Sequence, residues 1–229
     1  AAGNAERGAR LAYTCIGCHG VANYKNAVPM YNVPRLRGQH PEYLVIALQA
    51  YRSGERSHGT MHANASTLSD QDMADIAAFL SGTPLQPTGK PAGTPPPAAQ
   101  VCVSCHGNDG VGITPQYPTI SGQHDTYIER ALTDYKKGVR KNPIMAGFAG
   151  QLSEADIKAL AAYFSQQRPA LQIVTSTDDP LASLEPETEY SVEIKPGLAG
   201  RDGNKLQLDG ESQKLLRFTT EPFRVLTAG

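Results

Sequence analysis

Cys15-Ile16-Gly17-Cys18-His19 gathers two thiols and an imidazole within five residues, and Cys102-Val103-Ser104-Cys105-His106 repeats the set 87 residues later. Three chemistries use such a set. Tetrahedral zinc needs four ligands, usually two Cys pairs or a Cys pair and a His pair at close spacing. Here the pairs lie far apart, and each carries its own adjacent His. A redox dithiol is expected after a strand and at the start of a helix in a βαβ unit, and nothing of that kind surrounds either copy. Covalent haem attachment uses every residue: cysteines three apart share one face of a helical turn and form thioethers to the two vinyl groups, and the following His offers its imidazole to the iron. The expectation is two covalently attached haem c, at Cys15, Cys18 and His19 and at Cys102, Cys105 and His106. All four cysteines lie in these motifs, which leaves none for a structural disulfide or a free thiol.

The iron's other axial position needs a donor, and an internal repeat points to it. From Pro34 and Pro118 onward two stretches run in register at an offset of 84. Matched pairs include Gly38/Gly122, Gln39/Gln123, His40/His124, Tyr43/Tyr127, Gly54/Gly138, Arg56/Arg140, Met61/Met145, Leu68/Leu152 and Asp72/Asp156. The only length change is three extra residues between His19 and Pro34. Two of the four methionines, Met61 and Met145, fall at equivalent loop positions. A thioether is a soft donor that favours ferrous iron and raises the potential relative to a second His. The competing reading of each is a core gap-filler. The matched His40 and His124 would give bis-His ligation instead, although each follows Gly-Gln at a helix start, a capping or haem-edge position. His58 and His62 flank Met61 in the first repeat only. Met30 and Met73 read as packing.

The elements that must hold these groups are helical. Each copy reads as three helices: one ending in the CxxCH motif, a second over Pro41–Ser53 and Asp125–Lys137, and a third over Ser69–Leu80 and Ser153–Ser165. Ser69 and Ser153 are N-caps with Asp72 and Asp156 three residues on, a capping box with the shorter acid. Met73, Ile76, Ala77 and Leu80 then recur at helical spacing. Residues 82–100, GTPLQPTGKPAGTPPPAAQ, form an extended Pro/Gly-rich connector. The chain lacks Trp, and aromatics are 7% of it, so a large apolar cofactor would give its core something to pack around. A net charge of −1 gives no basic nucleic-acid footprint. No apolar stretch is long enough to span a bilayer. The opening AAGNAERGAR has the look of a processed N-terminus, which suggests export.

The strings CIGCH…PRLRG…M…LSDQDMADIAAFL and CVSCH…PTISG…M…LSEADIKALAAYF resemble two class I cytochrome c domains in tandem, and in particular the dihaem cytochrome c4 family of periplasmic electron carriers. The resemblance covers about residues 3–168. It implies a mainly α fold with domain 1 over 1–82, a linker over 83–100, domain 2 over 101–169 and a β-rich extension over 170–229. It implies that the carbonyls of Pro34 and Pro118 accept the N–H of His19 and His106, and that Leu36 and Ile120 pack on the haem. It also makes Gln39, Gln123, Tyr43, Tyr127, Arg56 and Arg140 candidates for propionate contacts; the alternative for each Tyr is helix packing. The family's haem domains face each other near their propionate edges, so electrons pass between haems within one molecule. The implied partners are redox proteins, with no nucleic acid and no transmembrane segment.

The resemblance ends near Arg168. From Ala170 onward there are ten acids against six bases, and the pattern changes to period 2. Thr188–Ile194, Lys205–Leu208, Leu215–Thr220 and Phe223–Leu226 are strand candidates, with a turn at Asp202-Gly203-Asn204. LEPETEYSVEIKPGLAGRDGNKL…LLRFTTE resembles the C-terminal half of bacterial Ig-like domains, without a first half. Half a sandwich has exposed edges. The segment would either dock on its own subunit or pair with another chain by strand addition, giving a ring or filament of a homo-oligomer. Three functions compete: an electron carrier with six-coordinate irons; an enzyme, which needs an open iron and against which matched Met ligands at both haems argue, with an electron-transfer subunit of a larger periplasmic dehydrogenase or oxidase left open; and a conductive assembly. The carrier is the reading adopted, with two distinguishable potentials.

Overall fold

The structure, a computed structural model, describes residues 2–87, 89–167, 189–192 and 216–219. It divides into two units, 1–172 and 173–229.

In the first repeat, Asn4 caps α1 (Ala5–Leu11) by accepting from the Arg7 N–H at 2.9 Å, and α2 (Tyr13–His19) follows after a break at Ala12. The short antiparallel strands β1 (Lys25–Asn26) and β2 (Tyr31–Asn32) occupy the stretch that contains the three extra residues. α3 (Pro41–Ser53) starts with Pro at its first position, where a missing N–H costs nothing, and ends on Gly54 in the left-handed conformation. α4 (Gly59–Ser66) and α5 (Asp70–Ser81) complete the repeat. The second repeat enters through a 3-10 turn (Pro97–Val101) into α6 (Val103–His106), α7 (Asp125–Lys136), α8 (Pro143–Gly150) and α9 (Glu154–Ser165).

Each repeat therefore has more helices than the three expected. The CxxCH helix of repeat 1 is broken into α1 and α2. In repeat 2 the consecutive prolines Pro95, Pro96 and Pro97 stop any counterpart of α1 from forming, because proline supplies no N–H and clashes with the preceding turn. The stretches holding Met61 and Met145 are helices, not loops. Both last helices carry the expected capping box: the Ser69 hydroxyl accepts from Asp72 N at 3.1 Å while Asp72 Oδ2 accepts from Ser69 N at 3.0 Å, and Ser153 and Asp156 repeat the pair.

Packing follows the helical periodicity. α1 crosses α5 so closely that a Cβ on Gly8 would lie 1.9 Å from the Asp75 carbonyl oxygen. Met73, Ile76 and Ala77 of α5 are buried, with Tyr51 and Ala65 from α3 and α4. In repeat 2, Ile128 of α7 packs with Leu160, Ala161 and Phe164 of α9 and with Ala99. Met73 is core, as expected, whereas Met30, expected to pack, is 73% exposed between β1 and β2. No helix among the described residues is long and apolar enough to cross a membrane.

The second unit contributes β3 (Glu189–Val192) and β4 (Leu216–Thr219), antiparallel, with Tyr190 opposite Phe218. These fall inside two of the expected strands, Thr188–Ile194 and Leu215–Thr220. The strands at Lys205–Leu208 and Phe223–Leu226, the turn at Asp202 and the Ig-like half-domain as a whole lie outside the described residues.

Candidate functional site

A turn, a short helix and a helix start hold each set of candidate ligands. His19 ends α2, and its Nδ1 lies 2.9 Å from the Pro34 carbonyl oxygen; His106 ends α6, with Nδ1 2.8 Å from the Pro118 carbonyl oxygen. A carbonyl only accepts, so Nδ1 carries the proton in both rings. Nε2 is thereby left with a lone pair, the form of imidazole that binds a metal. Burial lowers the pKa of both rings, against the opposing effect of the proline carbonyl, so both stay neutral. None of the four cysteines is in a disulfide, and burial pushes the Cys15 and Cys102 thiols up. Among the described residues, no three His, Cys, Asp or Glu side chains converge as a metal site.

Met61 and Met145 sit in the first turn of α4 and α8. Their backbone N–H groups are held by different caps: His58 Nδ1 accepts from Met61 N at 3.3 Å, and Asn142 Oδ1 from Met145 N at 3.0 Å. With Nδ1 accepting, the His58 proton is on Nε2, which donates to Asn26 Oδ1 at 3.3 Å. Both His58 nitrogens are thus engaged. His40 Nε2 faces the Gly112 carbonyl oxygen of the other repeat at 3.1 Å, and His62 Nδ1 faces the Tyr51 carbonyl oxygen at 2.8 Å. His40 and His124 do occupy N-cap positions, but neither side chain makes a capping bond. Burial, with Arg35 and Lys25 nearby, lowers the His124 pKa to about 4.

A cavity of about 700 Å³ runs through both repeats, and every candidate site residue lines it. Cys15, Cys18, His19, Pro34, Leu36 and Met61 come from one repeat; Cys102, Cys105, His106, Pro118, Ile120 and Met145 come from the other. His58 also lines it, whereas His40, His62, His124 and Met30 do not.

The six candidates for propionate contacts line the cavity too, but their hydrogen bonds run between the repeats, which the sequence did not signal. Gln39 Nε2 donates to the Thr119 carbonyl oxygen at 2.9 Å and its Oε1 accepts from Thr119 N at 2.8 Å. Gln123 makes the same two bonds to Arg35, each at 2.9 Å. Arg56 donates to the Tyr127 hydroxyl, and Arg140 to the Tyr43 hydroxyl at 2.7 Å. Each guanidinium also stacks on a tyrosine of its own repeat, Arg56 on Tyr51 at 4.6 Å and Arg140 on Tyr135 at 4.5 Å. Burial raises the Tyr135 hydroxyl to about 12. At Tyr43 burial acts upward, but Arg140 and Arg56 outweigh it and leave the hydroxyl below its ordinary range. Among the described residues neither Arg56 nor Arg140 has a carboxylate within ion-pair distance. Two guanidiniums facing a cavity without protein carboxylates suit a ligand that brings its own. Together with four thiols, two neutral imidazoles and two thioethers, they fit a pair of haems with propionates.

The chain belongs to the cytochrome c family, whose model, described as Cytochrome c, matches it twice, over residues 5–84 and 98–168. Its relatives place it in the dihaem cytochrome c4 class. It is 36% identical over 184 residues to cytochrome c4 of Pseudomonas aeruginosa, covering 71% of this chain and 88% of that one. It is 30% identical over 176 residues to the thiosulfate dehydrogenase electron acceptor of Thiomonas intermedia, covering 68% and 79%. The solved structure of reduced recombinant cytochrome c4 from Pseudomonas stutzeri matches with a TM-score of 0.59 at 32% identity, over 73% of this chain and 100% of that one. The chain carries two covalently attached haem c and is an electron-transfer protein rather than an enzyme.

Proposed function

We propose that the chain passes single electrons between redox proteins outside the cytoplasm through two His/Met haems, one held by Cys15, Cys18, His19 and Met61 and one by Cys102, Cys105, His106 and Met145. The observation that carries this is the pair of imidazoles with Nδ1 fixed on Pro34 and Pro118 and Nε2 left free to donate. Bound there, the haems supply reversible one-electron iron chemistry. The protein contributes burial, ligands and the fixed spacing of its two repeats. Leu36 and Ile120 cover the apolar surface, and Arg56 and Arg140 balance the propionate charge. Domain 1 is read as 1–82 and domain 2 as 101–169, with the connector between them.

The test is the absorption and magnetic spectrum of the purified full-length protein. Two low-spin haems that survive denaturation attached to the chain, each with the charge-transfer band of thioether ligation, are expected. A bis-His spectrum at either iron would refute the Met assignment.

Similarity to a protein named for accepting electrons from thiosulfate dehydrogenase supports a second reading, service to one larger dehydrogenase or oxidase. Selective, tight reduction by one such enzyme would favour it over a general shuttle. Self-association through residues 170–229 is a further reading, supported by the β-rich pattern of that segment. Light scattering on the full chain and on a chain ending at Pro169 decides it: equal protomer counts rule it out.

A further inference from the structure

The two histidine–carbonyl bonds continue beyond the carbonyls. The peptide unit joining Pro34 to Arg35 is engaged at both ends: its carbonyl accepts from His19 Nδ1 at 2.9 Å, and its N–H donates at 2.9 Å to Oε1 of Gln123, in the other repeat. The peptide joining Pro118 to Thr119 is engaged the same way, by His106 Nδ1 at 2.8 Å and by Oε1 of Gln39 at 2.8 Å. Both amides also donate through Nε2 to the next carbonyl, Arg35 or Thr119, at 2.9 Å. Only one orientation of each carboxamide satisfies both bonds, so the oxygen faces the N–H. The backbone N–H groups of His40 and His124 donate to the same two oxygens, at 3.1 and 3.0 Å, and hold each side chain against its own helix start. Gln39 and Gln123 are both 7% exposed, which keeps water from competing.

A peptide whose N–H is accepted elsewhere carries more negative charge on its oxygen, and hydrogen bonds in such a chain strengthen one another. A stronger acceptor for the imidazole N–H raises the basicity of the opposite ring nitrogen. A more basic axial imidazole favours ferric iron, and hydrogen bonding around the ligands is one of the protein's levers on haem potential.

We propose that Gln39 and Gln123 are positioning residues that act across the domain interface: Gln39 tunes His106 through the Pro118–Thr119 peptide, and Gln123 tunes His19 through the Pro34–Arg35 peptide. Each domain thereby sets part of the potential of the other domain's iron. The inference rests on His19 and His106 being iron ligands. A Gln that served only to join the domains would disturb both irons alike when removed.

The experiment is a spectroelectrochemical titration of the full-length dihaem protein, with each potential assigned to its domain from the resonances of the Met61 and Met145 methyl groups. The unmodified protein is measured first; haems without histidine ligation there would overturn the functional reading itself. Gln39→Met removes both bonds to Thr119, and the one from the His40 N–H, at nearly constant length. It is expected to shift the domain 2 iron to a more positive potential, lowering its oxidised-to-reduced ratio at fixed ambient potential by roughly 3- to 10-fold, with the domain 1 iron unmoved. Gln123→Met is expected to give the mirror result. Equal shifts at both irons, a shift confined to the substituted domain, or no shift overturns the proposal. Should either Met variant fail to fold, Gln39→Glu keeps an acceptor for Thr119 N–H and adds negative charge. It is expected to move the domain 2 iron negative by more than the domain 1 iron, and a positive or equal shift overturns the proposal.

Discussion

His19 and His106 each spend one ring nitrogen on a carbonyl, and that decides what the other nitrogen can do. The same accounting separates the competing axial donors. His40 and His62 are bonded to backbone carbonyls and, like His124, lie off the cavity, and His58 has both nitrogens engaged, whereas Met61 and Met145 line the cavity and are the thioethers proposed for the irons. Met61→Ala is therefore expected to remove one axial thioether and leave the other. The ferric spectrum should show half of the thioether charge-transfer band gone and one potential lowered, because the soft donor that favours ferrous iron is lost. An unchanged band would mean that Met61 is packing only. Arg56 makes a second residue-scale case. A buried guanidinium favours the reduced, less positive iron, so Arg56→Gln should lower a haem potential. It should also cost about 1–3 kcal/mol of stability in denaturant unfolding, since the Tyr127 hydroxyl loses its charged donor. A potential that stays put would show that the charge at Arg56 is balanced away from the haems.

α1 and α5 show how a single glycine and one buried carboxylate build a helix crossing. Gly8 leaves room for the Asp75 carbonyl, and the Asp75 side chain, buried under the crossing, accepts from Asn4 N at 2.7 Å and from Arg7. Gly8→Val should destabilise domain 1 by about 1–3 kcal/mol, as overpacking of a close contact does, read as a lower unfolding midpoint; an unchanged midpoint would mean that the helices part freely. Asp75 is held below the usual carboxylate range, first by the Asn4 N–H and then by Arg7. The contribution of Asp75 is present above the unfolded-state pKa of about 3.9 and is lost as pH falls through the depressed native value. Repeat 2 has Ala159 at the matching position and the Pro95–Pro97 run where α1 would be. Both domains should lose the contribution of their depressed capping-box carboxylates, Asp72 and Asp156, in acid; domain 1 should carry a further acid-sensitive component below about pH 4 from Asp75, and Asp75→Asn should remove that further component from the pH profile of unfolding. α3, α5, α7 and α9 were legible in the sequence because apolar periodicity and caps mark them. α4 and α8 were not: their eight residues each are short, rich in Gly, Ala or Asn, and started by side-chain caps from His58 and Asn142. The bonds of Gln39, Gln123, Tyr43, Tyr127, Arg56 and Arg140 were equally hidden, since a repeat shows which residues correspond and not which ones meet.

The two repeats meet about a pseudo-twofold axis. Gln39 binds the backbone of Thr119 while Gln123 binds that of Arg35, Arg56 meets Tyr127 while Arg140 meets Tyr43, and the backbones of Arg56 and Arg140 bridge each other. Such an interface is isologous, as in a homodimer, and on its own would give both irons the same surroundings. The symmetry is broken by α1, by the β1–β2 hairpin, whose Asn32 N–H donates to Thr126 Oγ1 of the other repeat at 3.0 Å, and by the caps on the two methionine helices. The caps bear most directly on the irons. The Met61 helix starts on an imidazole that is tied through Nε2 to Asn26 in the hairpin, and the Met145 helix starts on the carboxamide of Asn142. His58 also faces Tyr51 edge-on at 6.3 Å, a contact that Asn142 cannot copy. Different polar groups beside the two thioethers should give two potentials, since burial and nearby hydrogen bonds set them. A redox titration is expected to resolve two one-electron steps; a single Nernst curve for both irons would contradict the argument. His58→Asn makes the two caps alike, so it should narrow the gap between the steps while both irons keep their thioether bands. A gap unchanged by that substitution would place the asymmetry in α1 or the hairpin instead.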